Sequence, residues 1–294
     1  MRARDLALAV AVAAVWGFNF VVIHVGLDAF PPLLFSALRF ALAAFPALLL
    51  VGRPQVPWRW VIAVALILAV TKFSLLFIGM AAGMPAGLSS LVLQSQAVFT
   101  MLFAVLLLRE RPRPVQVAGL AVAVAGVVLV AARTTAPLPA FLLVIGAAAA
   151  WGLSNVATRK ASPPDTLRFM VWVSAVATGP LVVLTLIVDG PAADLAALRA
   201  IDTPAVLSLL YIALISTLAG FAAWGFLLRR YGAATVAPFS MLVPFFGIAS
   251  AALFLGEPVH LIEVAGGVLV VGGVLLGLVR ARPVVTKELV RVGA

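Results

Sequence analysis

Cysteine is absent from this chain, and charge is scarce: Asp, Glu, Lys and Arg make up only 10% of its 294 residues. The first absence removes disulfides and thiolate metal ligands. The second excludes a soluble globule, in which about a quarter of the residues are charged. Histidine occurs twice, and nothing in the sequence has metal-ligand spacing. There is no glycine-rich phosphate loop and no HExxH pair, so neither a metal nor a cofactor is expected. The ten carboxylates are scattered over loops and tails. An intramembrane enzyme, which would need clustered acids or a metal, is therefore disfavoured.

What the chain does have is apolar length. Hydrophobic residues make up 65%, with a mean hydropathy of +1.23. A membrane-spanning helix takes about 20 apolar residues, so ten spans use about 200 and leave roughly eight for each loop or tail. Runs bounded by charge, Pro or Gly fall near 6–26, 33–51, 60–80, 86–108, 115–132, 140–158, 169–188, 205–228, 235–255 and 261–279. They are continuous and do not alternate with period two, which predicts an all-α membrane protein and not a barrel. The opening MRAR and LALAVAVAAV could pass for a secretory signal, but the apolar run continues to Val25 and is expected to stay as the first span.

Net charge is +10. In a soluble chain that balance would point to nucleic acid; here the placement of the charges gives another reason. With the N-terminus inside, 16 of the 20 cations fall on the cytoplasmic side, in every even-numbered connection and both termini. Arg133 and Arg199 fall outside, while Arg39 and Lys72 lie within spans. Both termini are thus predicted to be cytoplasmic, in a lipid bilayer and with no nucleic-acid partner.

The two halves resemble each other. VWGFNFVV at 15–22 recurs as AWGLSNVA at 150–157, and LRF at 38–40 recurs at 167–169. Glu110 and Glu257, and the Val-Ala-Gly triplets at 117–119 and 264–266, share an offset of 147. Five spans per half is an odd number, so the second copy enters the membrane from the opposite side. The expected organisation is two inverted five-helix repeats, at 1–134 and 135–294, the second ending in a short basic tail. That architecture belongs to alternating-access transporters.

The stretches WGFNFVVIHVGL at 16–27, GMPAGLSSLVLQSQAVFT at 83–100, VAPFSMLVPFFGIASAALFLGEP at 236–258 and VAGGVLVVGGVLL at 264–276 carry a family resemblance over essentially the whole chain. It resembles the drug/metabolite transporter superfamily in its ten-span EamA-type branch. Within that branch it looks most like bacterial exporters of cysteine and O-acetylserine, with exporters of aromatic amino acids and methionine as close relatives. The resemblance implies export of amino acids or related metabolites across the bacterial inner membrane, through a cavity between the halves.

A charge at mid-membrane costs about 2.5–3.5 kcal/mol on insertion scales, so an intramembrane cation faces protein or water. Lys72, twelve residues after Trp60, is deep enough to attract a substrate carboxylate. Arg39 is placed nearer the outer surface, where it reads as a structural pin or a gate. His24 is a proton-sensing candidate. Asn19 and Asn155 follow the paired Trp-Gly steps and can meet a zwitterion, with Trp16 and Trp151 as apolar walls. Gln94 lies four residues after Ser90, so on a regular helix the two share a face, and Gln94 is favoured over Gln96. Met241 is its counterpart in the ninth span. Pro85, Pro238 and Pro244 mark those two helices as the moving elements. Small-molecule substrates and a functional monomer are expected. The alternatives are a multidrug carrier or a carrier of phosphorylated metabolites. The first wants a buried carboxylate and the second several cations; neither set is evident. A non-transporting receptor would have no need of an inverted repeat.

Overall fold

The computed structural model describes residues 1–45, 47–132, 134 and 136–278. The expected basic tail, with Arg280, Arg282, Lys287 and Arg291, and the loop cation Arg133 lie outside the described residues. Among the described residues there are nine apolar helical segments long enough to cross a membrane, a tenth that is slightly shorter, and no strand. They are α1 (Ala3–Ala29), α2 (Pro32–Ala44), α3 (Trp58–Ala81), α4 (Ala86–Leu108), α5 (Pro114–Ala131), α6 (Leu138–Ala161), α7 (Thr166–Val188), α8 (Thr203–Tyr231), α9 (Ala237–Leu255) and α10 (Leu261–Leu278). Seven of them carry a proline at the N-cap or in the first two positions, where its missing N–H has no partner to lose. Outward-facing residues such as Ile187 and Leu253 are 73% and 77% exposed, as a lipid-facing surface requires.

Repeat-equivalent residues make equivalent contacts. A Cβ on Gly126 would lie 2.7 Å from the Gly266 carbonyl oxygen, and one on Gly273 would lie 2.4 Å from that of Gly119. Adding 147 turns Gly119 into Gly266 and Gly126 into Gly273. The α5–α10 crossing therefore sits on the two-fold axis, and glycine lets the backbones touch there. Gly17 of α1 meets Phe246 of α9, and Gly152 of α6 meets Phe99 of α4, at 2.5 and 2.6 Å from the added Cβ. These pairs correspond under the same two-fold, with an offset of 135 between the first helices and 147 between the fourth. Each repeat lends its first helix to the other repeat's fourth, so the halves interlock as two inverted five-helix units.

Four helices depart from regular winding, in two matched pairs. In α3 the segment Ala65–Lys72 widens to π geometry, as does Tyr211–Ala219 in α8. The hydroxyls of Thr71 and Thr217 donate to the carbonyls of Leu66 and Ile212, five residues back, at 2.9 and 2.7 Å. In α4 the turn Leu93–Ser95 tightens to 3₁₀ geometry, as does Ala237–Leu242 in α9. A short helix, Pro191–Arg199, lies between α7 and α8. Asp194 on it accepts from the Thr185 hydroxyl, as does Asp189 at the end of α7. Asp189 also accepts from the N–H groups of Leu33 and Leu34, at 3.1 and 3.3 Å, and so closes the start of α2.

Candidate functional site

The two ends of the bundle differ. At the end carrying Arg109, Arg111, Arg113 and Arg159, a cavity of about 420 Å³ opens between α4, α5, α6, α9 and α10. Glu110, Arg111 and Arg159 line its mouth, and Gln96, Thr100, Asn155, Ser240 and Met241 line it further in. Asn155 Nδ2 donates to Gln96 Oε1 at 2.7 Å and to Thr100 Oγ1 at 3.1 Å, and Thr100 Oγ1 donates to the Gln96 carbonyl at 2.7 Å. These uncharged donors and acceptors form a linked wall. At the mouth, Arg159 Nη2 donates to Glu110 Oε1 at 2.8 Å.

The opposite end is packed shut. Phe30, Phe35 and Phe77 stack there, fully buried, together with Met80, Met84 and Leu88. Glu257, just beyond α9, seals the seam. Its two carboxylate oxygens accept from the backbone N–H groups of Ala86 and Gly87, at 2.7 and 2.9 Å. A carboxylate on a helix N-terminus also meets the positive end of the helix dipole.

Gln94 is buried beneath the cavity, where its Nε2 approaches the Ser240 carbonyl at 3.5 Å, while Gln96 lines the open space. The tight turn over 93–95 is the reason: it rotates the helix beyond it, so regular helical spacing misplaces the side chains that follow. The Ser90 hydroxyl is spent on the Gly87 carbonyl, at 2.6 Å, and packs against Gly247. Asn19 is buried, with an Oδ1 that has no partner. His24 is half-buried on α1. Pro85 immediately precedes α4, Pro238 lies in the tight turn of α9, and Pro244 starts that helix's regular part. Trp16 Nε1 donates to the Ser216 carbonyl at 3.0 Å, within the widened turn of α8, and the Trp16 ring packs on Trp224 and Phe221.

Arg39 and Lys72 come together, although they stand on different helices. Arg39 is 3% exposed and Lys72 5%, so neither lies at an interface with water. Arg39 Cζ is 4.0 Å and Lys72 Nζ 3.4 Å from the centre of the same Phe73 ring. The two charges thus sit within about 7.5 Å and repel by about 2 kcal/mol at an effective dielectric of about 20. The Lys72 ammonium also lies 4.7 Å above the Trp151 ring. The apolar spacing of α2 carried no sign that Arg39 would turn inward; only a partner on another helix decides that.

A family model described as "EamA-like transporter family" matches residues 4–132 and again 138–279. A "Probable amino-acid metabolite efflux pump" of Salmonella typhimurium is 41% identical over 286 residues, covering 95% of this chain and 96% of that protein. A protein of the same description from Escherichia coli is 38% identical over 302 residues and covers both chains completely. A "Probable terminal-alkyne amino-acid exporter" of Streptantibioticus cattleyicolor is 28% identical, covering 89% of each chain. A crystal structure 20% identical in sequence superposes with a TM-score of 0.64, over 94% of this chain and 99% of that one, and shows the shared fold. With the family model matching twice, once over each set of five helices, the chain belongs to the EamA-like transporter family.

Proposed function

We propose that the protein exports amino acids and related small metabolites across the bacterial inner membrane, by alternating access of its two inverted repeats. The observation that carries this reading is the pairing of a cavity with a polar stretch in its wall, open at one end, with a carboxylate-sealed seam at the other. Two interlocked copies of one unit, related by a two-fold axis in the membrane plane, have a second state in which the ends exchange roles. In that state Glu110 takes up at the start of α9 the position Glu257 holds at α4, and Glu257 lets go. The positive-inside rule places the arginine-rich end, and with it both termini, in the cytoplasm. The structure is then the inward-facing state, ready to load.

The chemistry of the cavity favours a zwitterion. Its interior is uncharged, with the amide and hydroxyl groups of Gln96, Thr100, Asn155 and Ser240 set among apolar side chains, while Glu110 and Arg159 at the mouth offer one partner for each end of an amino acid. Lys72 and the Trp151 ring lie one helical turn beyond Asn155 and are positioned to take the carboxylate further in. Phosphorylated substrates would call for several cations along the cavity, and its inner wall carries none. The names of the two bacterial efflux-pump relatives agree with this assignment. The repeats divide near residues 134 and 135, each monomer holds a complete pathway, and the protein acts as a transporter and not as an enzyme. The test is counterflow in proteoliposomes preloaded with a mixture of amino acids. The expected result is uptake of at least one labelled amino acid by wild type and none by protein-free vesicles. Absence of uptake across a broad panel overturns the reading.

A further inference from the structure

Arg39 and Lys72 are the two cations buried within the membrane-spanning part, and among the described residues neither is bonded to a carboxylate. Arg39 Nη2 donates to Thr217 Oγ1 at 2.9 Å, but its Nε and Nη1 are sealed from solvent without an acceptor. Thr217 has no further proton to give, since its hydroxyl donates to the Ile212 carbonyl. Ring faces of Phe40, Phe73, Phe77 and Trp151 complete the surroundings. Aromatic faces attract a cation, yet they leave a guanidinium's N–H groups unpaired. Two buried like charges with donors to spare have the chemistry of an anion site.

We propose that Arg39 and Lys72 together form an anion subsite that receives the α-carboxylate of the transported amino acid once the cavity has closed behind it. This rests on the exporter reading and deepens it: Arg39 becomes a specificity-determining residue and not a structural pin. The spacing fits one carboxylate. A guanidinium carbon stands about 4 Å from the carboxylate carbon it pairs with and an ammonium about 2.8 Å from an oxygen, and the two cations, both beside the Phe73 ring, lie no more than about 7.5 Å apart. The cavity wall and the two cations are one helical turn apart. Asn155, on the cavity wall, is four residues and so about 6 Å along α6 from Trp151, and the Trp151 ring lies directly under the Lys72 ammonium. The acceptor oxygens of Gln96 and Thr100 then remain on the cavity side for the ammonium of the substrate. In the second repeat the position of Lys72 is taken by Leu218, so the subsite is single and lies off the two-fold axis.

The experiment compares a transported amino acid with its carboxamide, which keeps the ammonium and loses the negative charge, in counterflow by wild type, Arg39→Gln and Lys72→Met. Each variant should weaken apparent affinity for the acid by about 10- to 100-fold and leave the carboxamide within about threefold. The double variant should be little worse than the weaker single one, because both cations serve one carboxylate. Arg39→Lys guards against misfolding and should keep part of the preference for the acid. Equal losses for acid and carboxamide would overturn the proposal, and so would retention of full acid affinity in both variants. A transport-independent arm uses acetate as probe. Acetate should raise the Tm of the purified wild type more than chloride does at equal ionic strength, and should not do so for the double variant. A larger rise with chloride would assign the site to an inorganic anion and overturn the substrate role. Stabilisation by acetate without any amino-acid flux would break the exporter reading and leave the subsite standing. Flux without discrimination between acid and carboxamide in any variant would do the reverse.

Discussion

Glu110 and Glu257 leave their helices in the same way and end on different partners. Each follows a residue in the left-handed region, Arg109 at φ 54° and Gly256 at φ 69°. Each sends its N–H to the carbonyl six residues back, Ala104 or Ala251, at 3.4 and 3.3 Å. Yet Glu257 is bound by the two backbone N–H groups that open α4, while Glu110 stands at a cavity mouth and meets Arg159. Local structure is therefore the same at both ends, and the difference is tertiary. It lies in whether each glutamate reaches the start of the other repeat's fourth helix, which is the difference the proposed exchange of states requires.

The ends also differ in chemistry that no rocking motion can exchange. Under the repeat offsets of 147 for the fourth helices and 135 for the first, Gln96, Thr100 and Asn155 correspond to Val243, Gly247 and Phe20. The loading side offers amides and a hydroxyl; its counterpart offers apolar surface. In the proposed cycle a substrate is held by polar partners on the arginine-rich side and released past a lining with few of them, an asymmetry that suits export.

The two-fold axis itself gives the largest expected effect. At the α5–α10 crossing a Cβ on Gly126 or Gly273 meets backbone atoms of the other helix, which cannot move aside as a side chain can. Gly126→Val and Gly273→Val should each abolish monodisperse protein, and the alanine versions should each cost about 1–3 kcal/mol. The informative point is their equality, read from thermal unfolding in detergent. Gly272, with nothing within 4 Å of its added Cβ, is the control, and Gly272→Ala should be neutral or slightly stabilising. Markedly unequal effects of the paired substitutions would break the symmetry on which the comparison of the ends rests.

Next in size is the seam. Glu257→Gln keeps the shape but weakens two charge-assisted hydrogen bonds and the favourable charge at the start of α4. The closed end should then open about 10- to 100-fold more often. Because the chain has no cysteine, a single Leu88→Cys reports this directly through its labelling by a membrane-impermeant maleimide. Glu110→Gln should leave that labelling unchanged or lower it, since Glu110 stabilises the opposite state. Equal acceleration by both substitutions would show that the two carboxylates do not alternate.

Much of this architecture was legible in the sequence, because the bilayer imposes a one-dimensional rule on apolar length. All ten runs became helices, and the matched Glu110 and Glu257 announced the inverted repeat. What could not be read was winding and partnership. The widened turns of α3 and α8 depend on where a threonine hydroxyl finds a carbonyl five residues back. The tight turn at 93–95 moved the cavity-facing side chain from Gln94 to Gln96. Composition cannot show that Arg39 turns toward Phe73 and Lys72, since that contact joins residues of separate helices. Nor did hydropathy reveal the short helix Pro191–Arg199, which is too brief to span and carries Asp194 and Arg199.

The smallest expected effect tests whether the local likeness of the two ends is complete. Arg109 occupies the left-handed conformation that Gly256 adopts without penalty, and a non-glycine residue there costs about 1 kcal/mol. Arg109 is exposed, so its removal empties no core. Arg109→Gly should raise stability by about 0.5–1 kcal/mol, seen as a higher Tm in detergent, and leave counterflow within about twofold of wild type. It makes the two helix ends alike at that position while keeping Glu110 where it is. If the substitution instead changed maleimide labelling at Leu88→Cys as strongly as Glu257→Gln does, the state of the molecule would be set by the helix ends themselves. An unchanged labelling rate with a higher Tm would locate the choice of state where the geometry puts it, in which glutamate holds the other repeat's fourth helix.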